Sequence, residues 1–72
     1  MQRLKNKTFP GDGYKSVTVK TYDACQPICE NDLLCVTFTF MKREERCKLF
    51  KTANEYFDDN NAESGIKRQV AR

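Results

Sequence analysis

The residues best suited to chemistry are four cysteines in the middle of a 72-residue chain, namely Cys25, Cys29, Cys35 and Cys47. An even number of closely spaced cysteines in so short a chain favours disulfides in an oxidising compartment and a metal site in a reducing one. Because a chain of this length buries little apolar surface, cross-links would supply much of its stability. The spacing therefore predicts a domain stapled by two disulfides.

Two other uses of the cysteines are weaker alternatives. Successive cysteines are separated by three, five and eleven residues, and the chain contains no histidine. Structural zinc sites usually draw their ligands in close pairs and often include histidine, and a catalytic thiol usually needs an activating imidazole. The spacing and the absence of histidine therefore count against zinc and against a catalytic thiol. The alternatives to two disulfides are a cytosolic zinc-stabilised domain and four free buried thiols. We predict no metal and no cofactor.

Residues 22–31 are predicted to form a helix with Thr21 as its N-cap. Cys25 and Cys29 are four residues apart, so both thiols point from one helix face toward the element that the helix covers. Pro27 lacks an N–H donor and restricts the preceding residue, so we expect the helix to begin late or to kink there.

The path of the chain favours one disulfide pairing among three. Five residues separate Cys29 from Cys35, so these form the short-range pair. If residues 42–45 form a hairpin turn, Cys47 lies near the earlier turn of the helix, where Cys25 is its partner. The same turn places Cys47 opposite Phe40 on the preceding strand.

Alternation of apolar and polar residues predicts an antiparallel sheet. The expected strands cover residues 4–9, 14–20, 35–41, 47–51 and 64–68, with Val17 and Val19 facing inward and the polar run 58–61 forming a loop. The third and fourth strands should form the middle of the sheet. The predicted fold class is α+β, a small disulfide-stapled antiparallel sheet curved around one helix.

The third strand poses a conflict, because alternate residues face opposite sides of a sheet. Val36, Phe38 and Phe40 share one side, whereas Cys35, Thr37 and Thr39 share the other. A Cys35 bonded to the helix would turn the rings of Phe38 and Phe40 away from it, unless a bulge intervenes. The rings then form either core, which we favour, or a binding surface, where they would provide a stacking platform for single-stranded nucleic acid.

The charged residues suggest several candidate binding sites, and none of these sites stands out from the others. The 13 basic and 10 acidic residues are interspersed, which disfavours a continuous cationic face and nucleic acid as a partner. The candidate binding residues are Lys20, Lys42, Arg43, Arg46, Phe38 and Phe40, with Lys15 as a further cation. Glu44 and Glu45 interrupt the basic turn, so a solvated surface competes with a site for an acidic partner. The run 58–61 lacks the spacing of a calcium loop and favours a turn.

Signals for export, membrane insertion and catalysis are weak. The residues after Met1 are polar and basic without the apolar run of a signal peptide, and no segment is long enough to cross a bilayer. An exported domain of this kind would therefore be part of a larger protein. No nucleophile is paired with a base, so we expect no enzyme.

Several motifs resemble the PAN/apple domain family. They are Cys-x3-Cys on the helix, Cys-x2-Phe-x-Phe, Cys-x-Leu-Phe-Lys and a closing Ser-Gly-Ile-Lys-Arg, and the likeness covers residues 9–68. The resemblance implies a curved sheet cradling one helix, with bridges between Cys25 and Cys47 and between Cys29 and Cys35. Fuller apple domains join their ends by a further disulfide. This chain has no cysteine near either end, so it resembles the shorter PAN type.

The resemblance also implies recognition of proteins or carbohydrates by modules of secreted or surface proteins. Examples are blood proteases, adhesins, plant receptor-like kinases and bacterial protease traps similar to alpha-2-macroglobulin. We therefore expect residues 1–72 to form one monomeric, non-catalytic module of a larger exported protein. Its expected location is secreted, periplasmic or on the cell surface, and its expected partner is a protein or glycan, without nucleic acid or membrane insertion.

Overall fold

Residues 2–52 and 55–67, the part described by the computed structural model, contain five strands and one helix. In chain order these are β1 (Gln2–Thr8), β2 (Lys15–Thr18), α1 (Tyr22–Glu30), β3 (Thr37–Met41), β4 (Arg46–Phe50) and β5 (Phe57–Ile66). The strands form one antiparallel sheet in the order β1-β5-β3-β4-β2. The hairpin of β3 and β4 therefore lies inside the sheet, and the predicted α+β class is confirmed.

The helix begins where its N-cap predicts. Thr21 Oγ1 accepts a hydrogen bond from the Ala24 N–H at 3.1 Å. The helix continues through Pro27, so the expected late start is wrong. A proline at this depth removes only one intrahelical hydrogen bond, and Cys25 and Cys29 on either side of it are both bonded to other elements. These two anchors hold the segment in helical form.

The polar run 58–61 is part of β5, so the predicted loop is wrong. Pairing between β1 and β5 jumps from Lys5 opposite Glu63 to Lys7 opposite Asp58, and the skipped residues form a bulge. Within this bulge Asp59 accepts a hydrogen bond from the Asn61 N–H at 2.9 Å. These residues thus form the side-chain hydrogen bond that is typical of a turn, but pairing with β1 continues on both sides of the bulge. β5 ends at Ile66, and residue 68 of the predicted strand lies outside the described residues.

The helix packs on the sheet face that carries Phe38 and Phe40, which resolves the conflict in the third strand. β3 begins at Thr37, so the alternation does not extend back to Cys35. The Cys35 N–H instead donates to the Asp32 carbonyl at 3.0 Å, in a turn that leads from the helix to the strand. The buried core cluster on this face consists of Tyr22, Cys25, Cys29, Cys35, Phe38, Phe40, Cys47 and Leu49.

The two inward valines and the predicted register agree with this core. Phe40 pairs with Cys47 across the hairpin, as the turn at 42–45 predicts. Val17 pairs with Cys47 from the other side and is half-buried, and Val19 packs against the core cluster. Tyr22, at the start of the helix, packs on Phe38 of β3, and Cys25 one turn later is bonded to Cys47 of β4.

The opposite face of the sheet is covered by Phe9, which follows the end of β1. Thr39 and Ser64 are buried there and their hydroxyls lie 2.9 Å apart. Ser64 Oγ donates to the Lys7 carbonyl at 2.8 Å, and the Phe9 N–H donates to Thr39 Oγ1 at 3.1 Å. Phe9 packs against Phe50 with ring centroids 6.0 Å apart. Both faces are therefore closed, and the buried hydroxyls on the second face are satisfied.

Gly13 is predicted to be the glycine least tolerant of substitution. Its φ is +73°, and an added Cβ would overlap the carbonyl oxygen of Leu49, to which the Tyr14 N–H donates. We expect Gly13→Ala to lower the free energy of unfolding by about 2–3 kcal/mol, from backbone strain plus the clash. Gly11 has a φ of +90° with open space around it, so Gly11→Ala should cost about 1 kcal/mol. Urea denaturation measures both, and equal losses would contradict the clash.

Candidate binding surfaces

One end of the sheet gathers the basic residues that the sequence singles out. We call Lys20, Lys42, Arg43 and Arg46, all exposed, the turn surface. Three of them lie on or next to the turn between β3 and β4. Lys20 is brought to it because the Val19 N–H donates to the Glu45 carbonyl at 3.0 Å. Residues from two separate segments thus form one basic surface.

Asn61, which the sequence analysis considers only as part of the run 58–61, anchors this turn. Its side-chain oxygen accepts from the Arg43 backbone N–H at 2.9 Å, and its side-chain nitrogen donates to Glu44 at 3.0 Å. Its carbonyl also accepts from the Lys42 N–H at 2.8 Å. The bulge in β5 therefore fixes the turn and engages one of the two glutamates that interrupt the basic residues.

The turn surface keeps most of its positive charge unpaired. Lys42 Nζ lies 3.9 Å from a Glu63 carboxylate oxygen. Within residues 2–52 and 55–67, the side chains of Lys20, Arg43 and Arg46 make no ion pair. Three exposed cations of the described residues are therefore available to an anionic partner.

Phe38 and Phe40 do not belong to any surface. Phe38 is fully buried and Phe40 nearly so, and the ring centroids of Phe38 and Tyr22 lie 5.1 Å apart under the helix. Neither ring can stack on a base in this fold. Their expected alternative role in binding is therefore wrong, and the core role that we favoured holds.

A second surface at the opposite end of the sheet was missed by sequence reasoning. In the loop between α1 and β3, Leu33 is 98% exposed and Leu34 is 57% exposed. A shallow pocket of about 260 Å³ beside them is lined by Leu33, Cys35, Val36 and Lys67. The only available signal was a pair of leucines in a short segment between two cysteines. We call Leu33, Leu34, Val36 and Lys67 the loop surface.

Asp32 holds this loop in place through hydrogen bonds. Its carboxylate accepts hydrogen bonds from the Leu34 N–H at 2.9 Å and from the Tyr14 hydroxyl at 2.8 Å, and its carbonyl accepts from Lys67 Nζ at 2.8 Å. The Leu34 bond, then the Tyr14 bond, holds the pKa of Asp32 below its ordinary value, with help from Lys15 and Lys67. Desolvation, followed by the bond to Asp32, raises the pKa of Tyr14 to about 12. The loop is thus fixed by donors on three segments.

Two disulfides join the helix to its neighbours. Cys25 is bonded to Cys47 on β4, with Cα atoms 5.5 Å apart, and Cys29 is bonded to Cys35 ahead of β3, with Cα atoms 5.3 Å apart. These are the pairs that the chain path and the resemblance both predict. All four sulfur atoms are engaged in these bridges.

In the described portion of the chain there is no cluster of three potential metal-ligating side chains. None of its helices is both long and apolar enough to span a membrane. The two candidate binding surfaces are the turn surface and the loop surface.

An antiparallel sheet with one helix stapled to it by two bridges defines a small disulfide-stabilised α+β module. The family model described as PAN domain matches residues 1–69, and the chain belongs to the PAN domain family. The structure is similar to the solution structure of a PAN module from Eimeria tenella, with a TM-score of 0.69 and 26% sequence identity, covering 97% of this chain and 83% of that chain. None of the curated proteins compared with the sequence matches it.

Membership of this family carries a general functional meaning. PAN domains are typically non-catalytic modules that bind proteins or carbohydrates within larger proteins. The family and the two disulfides together indicate an extracellular or cell-surface location.

Proposed function

We propose that this domain is a non-catalytic binding module through which a larger secreted or surface protein, such as a protease or a protease trap, recognises a protein or glycan. The observation that carries the proposal is the turn surface, where Lys20, Arg43 and Arg46 are exposed without ion-pair partners among the described residues. The backbone that carries them is held by hydrogen bonds from the Arg43 N–H to Asn61 and from the Val19 N–H to Glu45, so binding would order their side chains but little of the backbone.

The chemistry of the turn surface favours an anionic partner. Arg43 and Arg46 carry planar guanidinium groups, which bind carboxylates and sulfates through two parallel hydrogen bonds. An acidic protein patch and an acidic glycan both offer such groups. The role of this surface is electrostatic, so the affinity should fall as ionic strength rises.

Reversing the charge of the turn surface is expected to abolish most of this recognition. In the variant Lys20→Glu, Arg43→Glu, Arg46→Glu, like charges would face the anionic partner, and we expect capture to weaken at least tenfold. The free energy of unfolding should change by no more than about 0.5 kcal/mol per substitution, because all three side chains are exposed. Binding is measured on an array of neutral and sulfated glycans and by pull-down from the native secretome.

A matched pair of single variants controls for net charge. Arg46→Glu removes a cation from the turn surface, whereas Lys5→Glu removes an exposed cation from β1. Weaker capture by the first and not the second would locate the effect at the turn. Unchanged capture by the triple variant would exclude this surface.

A further inference from the structure

We propose that the loop surface is a second recognition site, which binds an acidic peptide segment of a partner protein through an apolar side chain and a neighbouring carboxylate. The inference rests on the proposed function, because it assumes that the domain is a binding module. The second site differs from the first in location, since the loop surface and the turn surface lie at opposite ends of β3.

The two leucines are held outward by the loop itself. The disulfide between Cys29 and Cys35 closes a loop of five residues. Inside it the Asp32 N–H donates to the Cys29 carbonyl at 3.2 Å, and the Leu34 N–H donates to the Asp32 carboxylate. The loop is therefore braced at both ends, and Leu33 stays 98% exposed. Covering a preorganised leucine releases apolar surface from water at little conformational cost.

The pocket beside Leu33 combines apolar walls with a donor. Leu33, Cys35 and Val36 provide the walls, and Lys67 provides an ammonium group. Lys67 Nζ uses one hydrogen bond on the Asp32 carbonyl, and an ammonium group has three donors. Two donors therefore remain for a carboxylate that accompanies an apolar side chain into the pocket.

The surroundings of the pocket are cationic. Lys15 and Lys67 are close enough to Asp32 to stabilise its carboxylate, and Lys51 Nζ lies 5.5 Å from the ring centroid of Tyr14, whose hydroxyl binds the same carboxylate. Three lysines, Lys15, Lys51 and Lys67, outnumber the one carboxylate of Asp32, so the surroundings keep a positive charge that complements an acidic partner. A pocket of about 260 Å³ has room for a side chain of a peptide, whereas a bilayer presents a flat surface to it.

The test is a selection from phage-displayed random dodecapeptides on the immobilised, disulfide-intact domain. Enriched peptides are synthesised and titrated by fluorescence anisotropy. We expect Asp or Glu within three residues of Leu, Ile or Phe, and binding that weakens about tenfold or more in Leu33→Ser, Leu34→Ser. Lys15→Glu, Lys51→Glu should weaken binding as well. Phe57→Ser is the matched control, because Phe57 is 53% exposed outside the loop surface, and it should leave affinity unchanged.

Several outcomes would overturn the proposal. These are no enrichment, enriched peptides without acidic residues, or affinity that is unaffected by Leu33→Ser, Leu34→Ser. Binding to vesicles of phosphatidylcholine and phosphatidylglycerol that depends on Leu33 would assign the surface to lipid, and a dimer that depends on Leu33 would assign it to a second copy. If glycan or secretome capture persists while these peptide results fail, the loop site is wrong and the proposed function stands. If the wild-type domain captures nothing, both fail.

Discussion

Reduction of both disulfides is expected to unfold this domain at 25 °C. The bridge between Cys25 and Cys47 spans 22 residues of sequence, and that between Cys29 and Cys35 spans six. Restricting the unfolded chain over these loops contributes about 3 and about 2 kcal/mol respectively. A domain of this length has a total stability of about 4–11 kcal/mol, so losing both bridges removes much or all of it.

The two bridges can be separated by paired substitutions. Cys25→Ala, Cys47→Ala should lower the free energy of unfolding by about 3 kcal/mol, and Cys29→Ala, Cys35→Ala by about 2 kcal/mol. Denaturant titration by circular dichroism measures both losses, with oxidised wild-type protein as the reference. Its intact mass should lie about four hydrogen masses below that of the reduced form. A native fold with four free thiols, or with stoichiometric zinc, would overturn the disulfide interpretation.

Truncation of Phe38 is expected to have the next largest effect. Phe38 is fully buried on β3, its ring lies against Tyr22, and its backbone pairs with Gly65 on β5. Phe38→Ala would leave a cavity between helix and sheet, and we expect a loss of about 3–5 kcal/mol in the free energy of unfolding. Urea denaturation of the disulfide-intact variant provides the measurement.

The control for this variant is an exposed phenylalanine. Phe57 is 53% exposed, so Phe57→Ala should change stability by no more than about 0.5 kcal/mol. Equal, small losses for the two variants would mean that Phe38 is a surface ring after all. In that case salt-dependent binding of single-stranded oligonucleotides, weakened by Phe38→Ala, would be the observation to seek.

The parts of this fold that sequence predicts are those set by local chemistry. Thr21 caps the helix through a hydrogen bond from a residue three positions away, and the length of the turn at 42–45 predicts Phe40 opposite Cys47. The spacing of Cys25 and Cys29 places both thiols on one helix face. Each of these features depends on a few neighbouring residues, so it can be predicted before any tertiary contact is known.

The parts that sequence does not predict depend on distant partners. The polar run 58–61 carries real turn chemistry, but β1 supplies pairing on the far side of the bulge and keeps the segment in β5. The burial of Phe38 depends on the turn that frees Cys35 from the strand alternation. Leucines are usually core residues, so the exposure of Leu33 follows only from the path of the braced loop.

The pairing of Gln2 with Ile66 brings the two outer ends of β1 and β5 side by side. Polypeptide entering at the first strand and leaving after the last therefore needs only a narrow opening in whatever it is joined to, as domain insertions generally do. Fused through these positions, the module would carry the turn surface at the end farther from the junction, since Met41 and Ala62 pair at the opposite end of the sheet.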